Sequence, residues 1–192
     1  MVGGFSESGL LQKMIADVLS SNIHIITPPD PGLAILKGAT IFGHDPFVMK
    51  ERRSRFTYGV RMSIDFVTGS HPETKKITNI DGKEFCADRF DVHVTAGQKV
   101  ALGSSNVVKT YVPICRTHSN IAFEFYASTD TNPSYITDPN CRKIGQLIVD
   151  VASSGDDRSV IVKMIFGDTE LRVEAVETAT QKPSRCTLNF LG

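Results

Sequence analysis

The residues best suited to hold a ligand through their backbone lie at the start of the chain. Gly3 and Gly4 form a turn that needs unusual backbone angles or allows a ligand to approach closely. No paired carboxylates and no Ser-His-Asp order point to a catalytic site. The histidines share no metal-ligand spacing and are expected to be surface or hydrogen-bonded residues: His24, His44, His71, His93 and His118. A lone glycine pair can equally be a simple turn from a strand to a helix, so these residues alone predict neither a ligand nor a metal site.

Composition and charge do not identify a class of binding partner, so partners must be inferred from individual sites. The 192 residues carry 21 basic and 21 acidic side chains, so bulk charge does not favour nucleic acid or a membrane surface as a partner. The four cysteines are widely spaced, without a CxxC pair, and we expect free buried thiols. No apolar run approaches the roughly 20 residues of a membrane span, and the N-terminus lacks a charged signal-peptide region. We expect a cytoplasmic protein.

The N-terminal quarter of the chain has helical spacing. Apolar residues at three- and four-residue steps predict a helix of about three turns over residues 10–19. Residues 23–27 are apolar and β-branched, which predicts a short buried strand. The proline-rich residues 28–32 predict a turn, and residues 33–42 a second helix that ends at Gly43. This order is typical of part of an α/β layer, too small to be a domain alone.

Residues 52–66, RRSRFTYGVRMSIDF, mark the change to strand spacing. Apolar residues occupy every second position from Phe56 to Phe66, which predicts a half-buried strand. We place the boundary at residues 49–55, where Arg52, Arg53 and Arg55 predict an exposed linker that could bind an acidic partner.

Short strands separated by turns are predicted for the rest of the chain. Asp81-Gly82 is a hairpin signal between residues 77–80 and 83–86. Further strands are predicted at residues 90–94, 107–114, 121–127, 144–151, 160–166, 171–176 and 187–191. Many short strands with regular turns predict an antiparallel β-sandwich, and the whole chain is predicted to have an α+β fold.

Three segments carry a resemblance to a known family. VGGFSESGLLQKM, PPDPGLAILKGATIFGHDP and RRSRFTYGV resemble the seventy-kilodalton heat-shock chaperones, most closely their divergent type-twelve branch. The resemblance implies that residues 1–48 are the C-terminal part of an actin-like nucleotide-binding domain and residues 49–55 a linker. Residues 56–192 would be a β-sandwich of the peptide-binding type. We expect the chain to be a C-terminal fragment of a longer protein.

The resemblance implies an ATP site that is complete only in the full-length protein. In the family, the glycine turn approaches adenosine and a later loop supplies an aspartate, which correspond to Gly3, Gly4 and Asp30. Phe5 and Glu7 stand beside the turn, where the ordinary chaperones have a serine and an adenine-stacking arginine. Glutamate cannot stack in this way, whereas Phe5 could. The phosphate-binding and catalytic parts would lie upstream, so we expect this chain not to be an enzyme.

The resemblance also implies a peptide groove in the sandwich. KTYVPICRTHSNIAFEF aligns with the family's third and fourth strands, which places Ile121 at the central pocket and Ile114 at one side of the arch over the peptide. Tyr111 and Phe123 would line the pocket. Val60 would be another pocket residue, and Ser63 the opposite side of the arch. The alternative is that these are ordinary core residues of a sandwich.

These expectations lead to one function and two alternatives. A heat-shock-type chaperone fragment would bind unfolded or extended apolar polypeptides, with co-chaperones as further partners and ATP as the cofactor of the whole protein. A second reading is an adaptor or dimerisation module whose groove is plugged by its own side chains. A third is part of an ATPase whose catalytic half is elsewhere. An open apolar channel beside Ile121 favours the first reading, and a filled one the second.

Overall fold

The structure is a computed structural model that describes residues 1–19, 22–45, 48–103, 107–115, 117–152, 157–167 and 170–188. Contacts divide the chain into two units, Met1–Lys50 and Glu51–Gly192. The first contains the α-helices and the second the antiparallel sheets, so the expected α+β class is confirmed.

The N-terminal unit is helical. A 3₁₀ helix at Gly4–Glu7 precedes α1 (Gly9–Val18) and α2 (Ala34–His44), close to the predicted positions. The side chain of Ser8 caps α1 by accepting a hydrogen bond from the amide of Leu11 at 3.4 Å. Neither helix buries a residue, and Leu10 and Val18 are 72% and 85% exposed. This unit therefore has little core of its own.

The strand predicted at residues 23–27 is wrong. These residues are extended but pair with no other strand in the described part of the chain. The amino group of Met1 donates a hydrogen bond to the carbonyl of Ile26, and this single contact does not make a ladder. A β-branched sequence favours extended backbone, but a strand also needs a partner edge.

The second unit contains eleven strands among the described residues. They are β1 (Glu51–Arg53), β2 (Thr57–Asp65), β3 (Lys76–Thr78), β4 (Glu84–Val94), β5 (Lys99–Ala101), β6 (Val107–Tyr111), β7 (Asn120–Ser128), β8 (Cys141–Asp150), β9 (Val160–Phe166), β10 (Leu171–Glu177) and β11 (Pro183–Leu188). A second 3₁₀ helix, Glu73–Lys75, precedes β3.

The sheets form a sandwich. One has the order β3-β4-β2-β7-β8 and the other β11-β10-β9-β6, with antiparallel neighbours throughout, and β1 and β5 form a small third sheet. Inward residues alternate with less buried ones, most regularly along β9. The core joins both large sheets, with Tyr58, Val60 and Phe125 from one and Met164 and Phe166 from the other.

Gly59 allows a close approach within the five-stranded sheet. It lies on β2 between Tyr58 and Val60 and is itself buried. A Cβ atom there would lie 2.7 Å from Cδ1 of Phe90, and closer still to Cε1 of that ring and to the carbonyl oxygen of Asp91. Only glycine fits this position without displacing its neighbours.

Several strands differ from the predicted ones. Residues 51–53, predicted as linker, form β1, and its partner β5 was not predicted. Two strands predicted at residues 83–86 and 90–94 are one continuous strand, β4, with Asp88 at a positive φ of 60° where the pairing with β2 shifts. The last strand begins earlier than predicted, at Pro183, and residues 189–191 of the prediction lie outside the described residues.

Candidate functional site

Strands β2 and β7 of the five-stranded sheet pair along only part of their length. The two strands pair through four residue pairs, from Thr57↔Ser128 to Val60↔Phe125. Beyond these pairs, residues 61–65 still pair with β4, and residues 120–124 still pair with β8. Among the described residues, however, no ladder joins residues 61–65 to residues 120–124. We call the space between these two segments the β2–β7 cleft; each side presents a strand edge to it.

Two of the predicted groove residues lie on the two sides of this cleft. Ser63 is on β2 and Ile121 on β7, and both are half-buried. Ile121 packs against the edge of the core. Val60 and Phe123, by contrast, are core residues with 0% and 2% exposure. The pocket and arch roles of these residues remain predictions, and the burial of Val60 and Phe123 fits the alternative of ordinary core residues.

Tyr111 is held by a partly buried polar network that reaches from β6 to β4. Its ring lies 5.4 Å from that of Phe123, edge to face. Its hydroxyl donates to Oδ2 of Asp91 at 2.6 Å and is 2.6 Å from Nε2 of His93, which can donate to it. Lys109 completes the network by donating to Oδ1 of Asp91 at 2.5 Å. Tyr111, at the end of β6, is therefore fixed in one orientation against β4.

The network shifts the titration of its members. Burial, followed by the hydrogen bond to Asp91, raises the pKa of Tyr111 well above its ordinary value. Burial, followed by the nearby charge of Lys109, lowers the pKa of His93 to about 4. His93 is therefore neutral at physiological pH, and Tyr111 remains protonated and able to donate.

Ile114 lies on the loop after β6, away from the core. It is 37% exposed, and its carbonyl accepts a hydrogen bond from Nδ2 of Asn79 at 3.3 Å. Arg158 holds the same loop by donating to the carbonyl of Cys115 at 3.4 Å, and it also donates to the carbonyl of Ala152 at 2.8 Å. These contacts tie the loop to the turn between β3 and β4 and to the segment after β8.

An ion-pair network crosses the five-stranded sheet next to the cleft. Arg61 pairs with Asp88 at 3.0 Å and with Glu124 at 3.1 Å, and Lys143 pairs with Glu124 from β8. Lys75 adds a second pair to Asp88, at 3.0 Å. The hydrogen bond from Lys143, followed by that from Arg61, lowers the pKa of Glu124. Because Arg61 and Glu124 directly follow the last backbone pair, this ion pair spans the closed end of the cleft.

The predicted adenosine-contact residues lie together in the N-terminal unit. The amide of Gly3, at a φ of 98°, donates to the carbonyl of Pro31 at 2.8 Å, which joins the glycine turn to the loop of Asp30. Phe5 is 84% exposed. The carboxylate of Asp30 pairs with Lys37 at 2.8 Å. A Cβ atom added at Gly3 or Gly4 would meet nothing within 4 Å, so open space adjoins the turn. A nucleotide role for these residues, including Glu7, remains a prediction.

Sequence reasoning did not find Asp91, His93 or Arg61 as members of the site. Each is a polar residue on a strand, which ordinarily indicates a solvent-facing position. Only the pairing of β4 with β2, and the approach of β6 to β4, bring them to the cleft.

The described residues contain no candidate metal cluster and no helix suited to span a membrane. No group of three or more His, Cys, Asp or Glu residues there could hold a metal ion. No helix in this part of the chain is long and apolar enough to cross a membrane.

Comparison with known proteins identifies relatives of the whole chain. No protein-family model matches it. It is 41% identical over 196 residues to heat shock 70 kDa protein 12A of Mus musculus and 40% identical over 196 residues to the Homo sapiens protein of that name. It is 38% identical over 202 residues to heat shock 70 kDa protein 12B of Homo sapiens. Each alignment covers 100% of this chain but 29% of the relative. The resemblance predicted from the sequence is confirmed: the chain belongs to the heat shock 70 kDa protein family, in its 12A/12B branch.

Proposed function

We propose that this chain binds extended, apolar polypeptide segments in the β2–β7 cleft, as the polypeptide-binding part of a longer heat-shock-type protein. The observation that carries the proposal is the end of β2–β7 pairing at Val60 and Phe125. Beyond it, two strand edges of one sheet face a common space. Backbone amide and carbonyl groups on such edges can pair with an added extended segment.

Half-buried apolar side chains beside the cleft supply the second part of the argument. Ile121 lies on the β7 side and packs against the edge of the core, and Met62 and Ile64 lie on the β2 side. A bound segment could therefore bury alternate apolar side chains against these residues while its backbone pairs with a strand edge. Aliphatic residues such as leucine suit these contacts best.

Binding can be tested with a labelled leucine-rich peptide and fluorescence anisotropy. We expect the wild-type chain to bind in the micromolar range or weaker, roughly −8 kcal/mol at best. Ile121→Asp should weaken binding by about tenfold, because a charge would have to be desolvated by every bound segment. Ile148→Asp is the matched control: Ile148 lies on β8, on the far side of β7 from the cleft, and is 57% exposed.

Ile121 is partly packed against the core, so Ile121→Asp could unfold the protein, and a second cleft variant is needed. Ala122 is exposed on β7 beside the cleft, so Ala122→Arg adds a large charged side chain without touching the core. Both cleft variants should lose affinity while Ile148→Asp keeps it, with thermal melts confirming that each is folded. A folded wild-type chain that does not bind the peptide would refute the proposal.

The adaptor reading is the second candidate, and a specific observation favours it. Phe123 is 2% exposed, and Tyr111 packs against Phe123 while its hydroxyl donates a hydrogen bond to the carboxylate of Asp91. The chain's own aromatic rings thus fill space beside the cleft. Under this reading the peptide would not bind, and the outer surfaces of the sandwich would carry the interactions.

ATP is proposed as a ligand of the longer protein only. Gly3, Gly4, Phe5, Glu7 and Asp30 would contribute one side of its site, and the joined glycine turn and Asp30 loop support this assignment. We propose that this chain by itself is not an enzyme and that co-chaperones are further partners. A cytoplasmic location is proposed because all four cysteines carry free thiols.

A further inference from the structure

Arginines from three segments meet at one end of the sandwich. Arg52 and Arg53 lie on β1, Arg55 lies just before β2, and Arg142 lies near the start of β8. The guanidinium of Arg55 is 5.2 Å from the centroid of the Phe56 ring, and that of Arg142 is 5.0 Å from the same centroid. The fold therefore adds Arg142 to a basic cluster that is contiguous in the sequence.

The charges of this cluster act on a common neighbour. Burial raises the pKa of the Tyr58 hydroxyl, whereas the positive charges of Arg52, Arg142 and Arg55 each act to lower it. Three guanidinium groups thus lie near one buried ring. Arg52 also lies over the ring of Phe166, 5.8 Å from its centroid.

Two of these arginines have no acidic partner. In the part of the chain that the structure describes, neither Arg55 nor Arg142 forms an ion pair, and both are exposed. Glu51, the acidic residue nearest to Arg55 in the sequence, is already paired with Lys99 at 2.7 Å. Arg55 and Arg142 are like charges held against the same ring, and such an arrangement favours binding of an anion.

The aromatic contacts also orient the guanidinium groups. A guanidinium over a ring is attracted by the negative face of the ring and keeps its N–H donors available at its edge. Those donors match a carboxylate, which can accept two hydrogen bonds from one arginine. Arg53 is held separately, since its Nη1 donates to the carbonyl of Gly97 at 2.8 Å.

We propose that Arg55 and Arg142, which both lie over the ring of Phe56, form an arginine surface that binds an extended acidic polypeptide segment. The strand β1 supports a polypeptide as the occupant. Among the described residues β1 pairs only with β5, so its other edge, beside Arg52 and Arg53, has no described partner strand. A polypeptide can pair with this edge through its backbone while its carboxylates reach the arginines, and a phosphate polymer or lipid headgroup cannot. The chain's net charge of 0 gives no general attraction for polyanions.

The test uses the whole 192-residue chain and a fluorescein-labelled peptide of alternating glutamate and serine. A peptide of alternating glutamine and serine is the neutral control. At about 50 mM salt, where screening is moderate, we expect the acidic peptide to bind and the neutral peptide not to bind. The double variant Arg55→Glu/Arg142→Glu should weaken acidic-peptide binding by about tenfold or more.

A matched charge reversal tests whether the effect is local. Lys182 is exposed on the turn between β10 and β11 and makes no ion pair among the described residues, so Lys182→Glu should keep the affinity of the wild type. Thermal melts check that each variant is folded. If the double variant unfolds, Arg142→Gln, a milder change at an exposed residue, should still reduce the affinity for the acidic peptide. The cleft variant Ala122→Arg should bind the acidic peptide normally, which separates this surface from the β2–β7 cleft.

Three results would overturn the proposal. The neutral peptide could bind as well as the acidic one, or Lys182→Glu could lose as much affinity as the folded arginine variants. Alternatively, a short oligothymidylate or phosphatidylserine vesicles could bind more tightly than the acidic peptide at the same salt concentration. That last outcome would assign the arginine surface to phosphate groups instead of polypeptide carboxylates.

Discussion

Replacement of Gly59 by alanine tests the packing on which the five-stranded sheet depends. The new methyl group would lie 2.7 Å from Cδ1 of Phe90 and closer to Cε1 of that ring, well inside the ordinary carbon–carbon contact of about 3.5–4.0 Å. It would also meet the carbonyl oxygen of Asp91, which belongs to the backbone of β4 and cannot rotate away. Relief therefore requires movement of the strand itself.

The expected cost follows from these contacts. Overpacking of a filled site costs about 1–3 kcal/mol, and the backbone contact puts this site at the upper end. Alanine in a strand recovers about 0.5–1 kcal/mol through lower backbone entropy in the unfolded chain. The net loss in the free energy of unfolding should be about 2 kcal/mol, which corresponds to a fall in Tm of about 4–8 °C for a protein of this size.

Gly145→Ala is the matched control on β8. A Cβ atom there would meet only the end of the Leu188 side chain, with Cδ2 nearest and Cγ at 3.7 Å. Because Leu188 can change rotamer, the loss should be below about 1 kcal/mol. Urea unfolding followed by circular dichroism gives both values, with an unchanged m-value as the sign of an intact fold. If Gly59→Ala were as stable as Gly145→Ala, the inferred close approach to β4 would be wrong.

Two further predictions concern pH and local stability. In the folded protein His93 stays neutral until the pH falls to about 4, whereas an exposed histidine is protonated near 6.5. The free energy of unfolding should therefore fall as the pH drops from 6.5 to 4. His93→Gln should flatten this dependence in urea titrations, and an unchanged slope would contradict the assignment. Limited proteolysis should cut Met1–Lys50 before Glu51–Gly192, because neither α1 nor α2 buries a residue, and mass spectrometry of the first fragments would reveal the opposite order.

Periodicity predicted the long elements well and the short ones poorly. The alternation in Val160–Phe166 gave the bounds of β9, and both helices were placed within a few residues. The strands β1 and β5 contain three residues each, too few to show a period, and each depends on the other for pairing. The polar bulge at Asp88 interrupts the alternation of β4, so one strand was predicted as two.

The candidate site was predicted in part. The alignment with the family placed Ser63 and Ile121 on segments that the structure brings to opposite sides of one cleft. It could not distinguish a pocket wall from the core, because Phe123 has the same apolar character in either position. The cleft exists because the pairing of β2 with β7 stops at Val60 and Phe125. The extent of such long-range pairing cannot be read from the local pattern of either strand.

The incomplete pairing of β2 and β7 gives the sheet a mechanical property. Four residue pairs at one end act as a hinge, and the sheet has two arms, β3-β4-β2 on one side and β7-β8 on the other. The free ends of these arms can separate without breaking a backbone hydrogen bond between β2 and β7. Resistance to opening comes from side chains: the ion pair of Arg61 with Glu124, the packing of Ile121, and Tyr111, which contacts Phe123 on one arm and Asp91 on the other. An ion pair with a half-exposed arginine contributes about 0–1 kcal/mol, so the packing of Ile121 and Tyr111 supplies most of the resistance to a small rotation of the arms.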